Sequence, residues 1–200
     1  MHESLRHRTA VSILLLAFLP SLALAGKPLH DIPLVWKPTN RKDTGVLNLA
    51  GLTNVKFRVD PFTDTRSDKT RIGENQEDKA TKRVTTSGNV AEFCTQQFSN
   101  MLKQYGLTVV PEGGDVVIGG EVLEFMVIET NTYKGEVRLK VSAKRAEKEE
   151  WVGGVASGTS SRFGRSYKAD NYYETLSDAL LEAAERAVKD EGFRKATAGS

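Results

Sequence analysis

The sequence predicts a two-layer α/β (α+β) domain in the order β-α-β-β-β-α, an open, mostly antiparallel sheet with two helices on one face. Two long segments repeat apolar residues at three- and four-residue steps, as amphipathic helices do. Other segments alternate apolar and polar residues, as half-buried strands do. Three of these strand segments follow one another through short polar turns, which favours an antiparallel meander between the helices.

The composition is that of an ordinary globular chain. Of 200 residues, 39% are hydrophobic and 27% are charged. The 28 basic and 26 acidic side chains leave a net charge of only +2. Because nucleic-acid binding normally needs a clear basic excess, we predict no nucleic-acid partner.

Residues 1–25 are predicted to be a secretory signal peptide. Two arginines precede an apolar run at 11–19, and small residues lead up to a cleavage position between Ala25 and Gly26. The run is shorter than the roughly 20 residues of a membrane-spanning helix. An uncleaved anchor is the alternative. Cleavage predicts a soluble periplasmic protein with no remaining transmembrane segment.

The mature chain would hold few residues suited to catalysis or metal binding. Without the signal peptide, His30 is its only histidine and Cys94 its only cysteine. A disulfide within the chain and a Cys/His zinc cluster are therefore excluded, and a catalytic triad would have to use His30. We predict no catalytic residue, metal or cofactor.

Residues 26–51 are predicted to form an extended lead-in, since three prolines in a polar stretch disfavour a helix. Trp36, with Val35, is expected to plug the edge of the core, with ligand stacking as the alternative. Residues 52–195 are predicted to form a single globular α/β domain, and 196–200 a flexible tail.

The first strand of the domain follows Leu52, where apolar residues alternate with polar ones until Pro61. Residues 63–86 then contain six basic and five acidic side chains and few apolar ones. This composition predicts a long solvated loop. Loops of that length are often functional or disordered, so it is either an interaction surface or simply mobile.

The first helix is predicted to begin near Asn89, where Asn89 and Glu92 have capping-box spacing, and to end at Gly106. Cys94 lies on or beside its apolar stripe. A cysteine in that position is usually a small core residue, so we expect it to be buried rather than nucleophilic.

The meander follows a minor strand at 107–110. Its first strand, 115–129, is expected to bend at Gly119–Gly120. Its second strand, 133–146, alternates strictly, which predicts that one face of the sheet contacts water. Its third strand, 151–163, is rich in glycine, serine and threonine.

The last helix is predicted to begin near Asp170 or Asn171 and to pack an alanine-rich stripe on the sheet. Gly192 fits the left-handed position that ends a helix, with Phe193 making the accompanying apolar contact. Gly192→Ala is therefore expected to cost on the order of 1 kcal/mol.

Several short stretches within residues 52–195 also resemble a known family. They are Asp64-Thr-Arg66, Ile72-Gly73, Gly120-Glu-Val-Leu-Glu-Phe125, Ser161-Arg-Phe-Gly-Arg-Ser166, Asn171-Tyr172 and Leu176-Ser-Asp-Ala179. They are similar to the YajG-type family of uncharacterised bacterial envelope lipoproteins. That family resembles the N-terminal domain of TolB and the penicillin-binding-protein activator LpoB in fold, which implies envelope binding or assembly and no known catalytic residues. This chain departs from the family because it lacks the lipobox cysteine.

Three functions remain open. The leading one is a non-catalytic periplasmic binding or assembly accessory of the cell envelope, which contacts a protein partner through the wet face and edge strands of its sheet. The alternative is a small-ligand or lipid-binding auxiliary of an envelope transport system, which needs an apolar cleft between sheet and helices. The third is a carboxylate enzyme using Glu121 and Glu124, whose side chains point to opposite faces unless a bulge intervenes. A homo-oligomer is left open.

The candidate partner surface is the connection between the last strand and the last helix, where aromatic residues alternate with arginine, as in interface hot spots. Its members are Arg162, Phe163, Arg165, Tyr167, Tyr172 and Tyr173. A purely structural role is the alternative. In that case Phe163 would finish the strand in the core, a tyrosine would pack under the helix, and the arginines would pair with Asp170 and Glu174.

Overall fold

The computed structural model describes residues 28–39, 51–145 and 150–198. The predicted signal peptide and its cleavage position at Ala25–Gly26 lie outside the described residues. Within the described ranges, no helix is long and apolar enough to cross a membrane.

The described residues form one eight-stranded sheet and three helices, which confirms the two-layer α+β class. In chain order these are β1 (Lys56–Val59), β2 (Thr63–Asp64), β3 (Arg71–Asn75), β4 (Lys82–Thr85), α1 (Val90–Gln104), β5 (Thr108–Val109), β6 (Val116–Glu129), β7 (Thr132–Arg145), β8 (Trp151–Phe163), α2 (Ala169–Lys189) and α3 (Glu191–Thr197). The predicted order lacked β2, β3, β4 and α3.

Strand β6 is the centre of the sheet. Strand β7 pairs antiparallel along one side of it, and β8 pairs antiparallel with β7, so the predicted meander is present. The other side of β6 is shared by β1, β2 and β3, all of which run parallel to it. The sheet is therefore mixed, with more parallel pairing than the predicted, mostly antiparallel arrangement. The 14 residues of β6 give it the length to pair with three short strands in succession.

The core lies between the sheet and the helices. Alternate residues of β7, among them Val137, Leu139 and Val141, are buried as the alternation predicts. Cys94 of α1 is fully buried, and this burial raises the pKa of its thiol. Its predicted core role is confirmed, because an un-ionised buried thiol is a poor nucleophile.

The predicted solvated loop at 63–86 is wrong, because this segment contains three strands. Arg66 is only 8% exposed, and its guanidinium donates hydrogen bonds to the Asp64 carboxylate and to the carbonyl oxygens of Lys69 and Arg71. Burial of Asp64 raises its pKa, but the hydrogen bonds from Arg66 outweigh this effect and hold the pKa below its ordinary value. The Arg66–Asp64 pair therefore serves internal bonding, whereas Glu77, Asp78 and Lys79 are exposed.

The described part of the lead-in, residues 28–39, lies along β4 and the helices. The amide of Ile32 donates to the carbonyl of Thr85 (2.9 Å), and the amide of Thr85 donates to the carbonyl of Leu29 (3.1 Å). Trp36 is half-buried and packs edge-on against Phe93, with 6.4 Å between ring centroids. Trp36 thus has the predicted packing role, whereas the neighbouring valine is 38% exposed.

The pairing of β6 with β7 continues through Gly119–Gly120, and its register shifts between Val122 and Glu124. Gly120 instead makes room for an aromatic ring, since a Cβ there would lie 2.8 Å from the Phe62 ring. The glycine allows close packing, and the extra residue of the bulge supplies the irregularity.

The same bulge changes the relation between the two carboxylates considered for catalysis. Glu121 lies opposite Lys140 and Glu124 opposite Arg138, and these two basic residues of β7 share one face. Glu121 and Glu124 therefore point to the same face of the sheet. The Glu124 carboxylate accepts a hydrogen bond from Arg138 at 3.4 Å.

Helix α2 begins one or two residues earlier than predicted. Lys168 precedes its first turn and makes no capping hydrogen bond through its side chain. The two predicted caps have other partners, because Asp170 accepts a hydrogen bond from Lys37 and Asn171 donates one to Ser166.

The predicted C-terminal role of Gly192 is also wrong. Helix α2 ends at Lys189, and the carboxylate of the next residue, Asp190, caps α3 by accepting a hydrogen bond from the amide of Phe193 at 3.1 Å. Gly192 lies inside α3 and does not have a positive φ angle.

Gly192→Ala is still expected to destabilise the fold by about 1 kcal/mol, for a different reason. The new Cβ would lie 2.4 Å from Nε1 of Trp151, so the indole, which packs edge-on against Phe193, would have to move. Urea unfolding followed by tryptophan fluorescence measures this loss. Unchanged stability and an unchanged tryptophan spectrum would contradict the predicted contact.

Candidate interaction surface

A buried carboxylate holds the connection between β8 and α2. Glu129, the last residue of β6, has no exposed surface. Its two carboxylate oxygens accept hydrogen bonds from the hydroxyl of Tyr172 (2.7 Å) and the amide of Tyr167 (2.9 Å). Burial, together with the hydrogen bond to Glu129, raises the pKa of Tyr172. Tyr172 is fully buried and is therefore unavailable to a partner.

Tyr167 connects this carboxylate to the lead-in. Its φ angle of 41° lies in the left-handed region, which costs a non-glycine residue on the order of 1 kcal/mol. Two hydrogen bonds hold this conformation, one from its amide to Glu129 and one from the amide of Leu29 to its hydroxyl (3.1 Å). The ammonium of Lys82 lies 5.6 Å from the centre of its ring. Tyr167 thus serves the packing of the connection.

Arg162 points towards α2 and joins the lead-in to that helix. Its guanidinium lies 2.5 Å from the Glu174 carboxylate and donates a hydrogen bond to Oγ1 of Thr39 at 2.8 Å. Thr39 in turn donates from its amide and its hydroxyl to the buried Asp178 carboxylate, both at 2.7 Å. The predicted structural alternative therefore describes Arg162 well.

The remaining candidates are more accessible. Phe163 is 91% exposed, so its alternative role in the core is wrong. The Arg165 side chain is 63% exposed and contacts Asn131 and Glu77. Tyr173 is half-buried, and this burial raises the pKa of its hydroxyl. Of the six candidates, Phe163 and Arg165 present the most surface to solvent.

Phe163 belongs to a larger surface that the sequence interpretation missed. Among the described residues, β8 pairs only with β7, so its other side forms an edge of the sheet. One row of β8 residues points away from the helices, alternate from Val155 onwards and preceded by Val152 across a register shift. We call this row the β8 edge surface: Val152, Val155, Ser157, Thr159, Ser161 and Phe163. None of them is charged, and Val152 and Val155 are 55% and 52% exposed.

A long edge strand with no charged side chain in its outward-pointing row is unusual. Long edge strands are normally protected by charged side chains, proline or a covering segment, because their free amides and carbonyls pair with other strands. In β8, 13 residues contain a single charged side chain, Arg162, and it points towards the helix. This lack of charge in segment 151–163 is the sequence signal that could have revealed the surface.

The main chain of β8 is also oriented for pairing. The amide of Thr159 donates to the carboxylate of Glu182 on α2 at 2.9 Å, so it points to the open edge and away from β7. Because strand amides alternate in direction, those of Ser157 and Ser161 point to the same edge. Among the residues that the structure describes, Glu182 thus covers one position of the edge, and the pairing of β8 leaves the edge free of another strand.

A groove adjoins this edge on the helix-free face. It has a volume of about 620 Å³, and its lining includes Met126 and Ile128 of β6 together with Thr159 and Ser161 of β8. Ile128 is 38% exposed. Glu124, Lys134 and Glu136 also line the groove, so it joins charged side chains of β6 and β7 to the uncharged row on β8.

Among residues 28–39, 51–145 and 150–198, no group of three or more His, Cys, Asp or Glu side chains could hold a metal ion.

Comparisons with known proteins identify the fold. No protein-family model matches the chain, and no curated protein matches it. Protein XCC0632 from Xanthomonas campestris, of family DUF330, superposes with a TM-score of 0.52 and 10% identity over 70% of this chain and 85% of that one. A PelC dodecamer from Paraburkholderia phytofirmans superposes with a TM-score of 0.40 and 12% identity, over 68% of this chain and 89% of that one. Lipoprotein GNA1162 from Neisseria meningitidis superposes with a TM-score of 0.34 and 14% identity, over 54% of this chain and 83% of that one. The last two scores lie below 0.5, so only the first similarity bears on the fold.

Proposed function

We propose that this protein is a non-catalytic binding or assembly accessory of the bacterial cell envelope, exported to the periplasm, that acts through protein–protein contact. The observation that carries the proposal is the β8 edge surface. It combines a long uncharged edge strand, outward-pointing amides and an almost fully exposed Phe163. Main-chain pairing at such an edge gives affinity, and alternate side chains give specificity.

The envelope location is supported by the sequence. The pattern of residues 1–25 is typical of a signal peptide, and several short stretches resemble those of the YajG-type envelope lipoproteins.

A binding role also agrees with the position of the buried ionisable groups, which lie inside the fold. Glu129, Tyr172 and Cys94 are all fully buried, and Glu129 and Tyr172 are hydrogen-bonded to each other. Catalytic groups usually face a cleft, where a substrate can reach them.

A small-ligand or lipid-binding auxiliary role is the second candidate. The groove beside β8 favours it, because Met126 and Ile128 give the lining an apolar part. It differs from the predicted cleft between sheet and helices, since it opens on the helix-free face. Native mass spectrometry of the purified protein would show a bound lipid as added mass, and an unliganded mass would contradict this candidate.

The proposed contact is tested by photo-crosslinking in cells. A photoreactive phenylalanine analogue at Phe163 or Val155 is expected to yield discrete crosslinked products. The same analogue at Lys103, an exposed residue of α1, is the matched control and is expected to yield none of them. Identical products from all three positions, or no product from β8, would contradict the proposal.

A further inference from the structure

The β8 edge surface is complementary to itself. When two copies of β8 are aligned antiparallel with Thr159 opposite Thr159, residues equally distant from Thr159 face each other. Ser157 then faces Ser161, and Val155 faces Phe163. Hydroxyl pairs and aromatic–β-branched pairs are favourable across antiparallel strands.

The charges of β8 also suit this alignment. On the helix side, Gly158 would face Ser160, and Ala156 would face Arg162. The only charged residue of the strand therefore meets a small apolar one, and the two arginines stay apart. Opposed like charges, which destabilise a strand pair, do not arise within β8.

The main chain supports the same register. Residues that point both amide and carbonyl to the edge form the hydrogen-bonded pairs of an antiparallel ladder. Since the amide of Thr159 points to the edge, Thr159 can exchange two hydrogen bonds with the Thr159 of a second copy. These bonds would replace its present bond to Glu182.

We infer that a second copy of this chain is a partner of the β8 edge surface, in a twofold-symmetric dimer with one continuous sheet. This inference rests on the proposed function, because it names a partner for the surface assigned there. The symmetry axis passes through the Thr159 pair.

Cysteine pairing tests the register. Residues in a hydrogen-bonded pair have Cα atoms about 5.5 Å apart, which a disulfide can span. Thr159→Cys is therefore expected to form a disulfide-linked dimer on mild oxidation. Ser157→Cys is the control, because its two copies would lie about 14 Å apart along the strands. A mixture of Ser157→Cys and Ser161→Cys is expected to link, and the native Cys94 is buried and does not interfere.

A charge at the symmetry axis tests the interface itself. Thr159→Lys would place two ammonium groups opposite each other, and we expect the dimer Kd from analytical ultracentrifugation to rise at least about tenfold. Thr63→Lys makes the same change at an exposed position of β2, on the other side of β6, and is expected to leave the Kd unchanged. Equal thermal unfolding midpoints for both variants show that the fold is intact.

The outcomes separate the dimer from the proposed function. The dimer is overturned if the wild type is monomeric and the Thr159→Cys variant forms no disulfide-linked dimer. It is also overturned if Ser157→Cys on its own links as efficiently as Thr159→Cys. If Phe163 still crosslinks to another envelope protein in that case, the proposed function stands. If it crosslinks to nothing, both are overturned.

Discussion

Gly158→Ala is expected to lower the free energy of unfolding by about 3 kcal/mol, the upper end of the usual cost of overpacking a core. A Cβ at Gly158 would lie 1.9 Å from the carbonyl oxygen of Ala179 and 2.4 Å from the amide nitrogen of Ala183. Both are main-chain atoms of α2, so no side-chain rotation relieves the overlap. The helix would have to move away from β8.

Gly154→Ala is the matched control for this prediction. Gly154 lies in the same strand, and a Cβ there would meet no atom within 4 Å. Loss of glycine freedom in the unfolded chain is expected to leave this variant as stable as the wild type, or more stable by less than about 1 kcal/mol. Urea unfolding measures both variants. Similar stabilities for Gly158→Ala and Gly154→Ala would show that α2 does not pack against β8 as described.

Glu129→Ala is also expected to lower the free energy of unfolding strongly, by about 3 kcal/mol. The substitution leaves the buried hydroxyl of Tyr172 and the amide of Tyr167 without their acceptor, and each lost partner costs about 1–3 kcal/mol. Glu129→Gln keeps one carbonyl oxygen in place and should cost less. Because Tyr167 also contacts the lead-in, amide exchange at Leu29 should accelerate in the alanine variant.

A double-mutant cycle isolates this contact. In a Tyr172→Phe background the hydroxyl is already absent, so Glu129→Ala should cost measurably less than in the wild type. Glu121→Ala, on the helix-free face, is the control and should change stability by less than about 0.5 kcal/mol. Additive costs for Glu129→Ala and Tyr172→Phe would contradict the assigned hydrogen bond.

The periodicity of apolar residues predicted the individual helices and strands whose pattern is visible in a short stretch of sequence. The alternation in β7 and the helical spacing around Cys94 are visible in short windows of sequence, and both elements form as predicted. The parallel pairing of β1, β2 and β3 with β6 depends on residues far apart in the chain. The burial of Arg66 was not predicted for a similar reason, because its hydrogen-bond acceptors come together only when the segment folds.

The partner surface predicted from the sequence and the β8 edge surface share only Phe163. Arg162 and Phe163 are adjacent in a strand, so they must point to opposite faces, and composition could not show which face carries the helices. The contacts that bury Tyr172 and fix Tyr167 come from Glu129, about 40 residues earlier in the chain. The exposed row on β8 contains mostly small and hydroxyl side chains, which do not stand out as interface residues.

The β8 edge surface is tested most directly by combining the crosslinker at Phe163 with a charge at Thr159. Crosslinked products formed from Phe163 in cells are expected to disappear when Thr159→Lys is added, because the charge disfavours strand pairing at the edge. They are expected to persist when Thr63→Lys is added instead. Products from Phe163 that remain undiminished in the Thr159→Lys protein would show that its partners do not bind at the edge of β8.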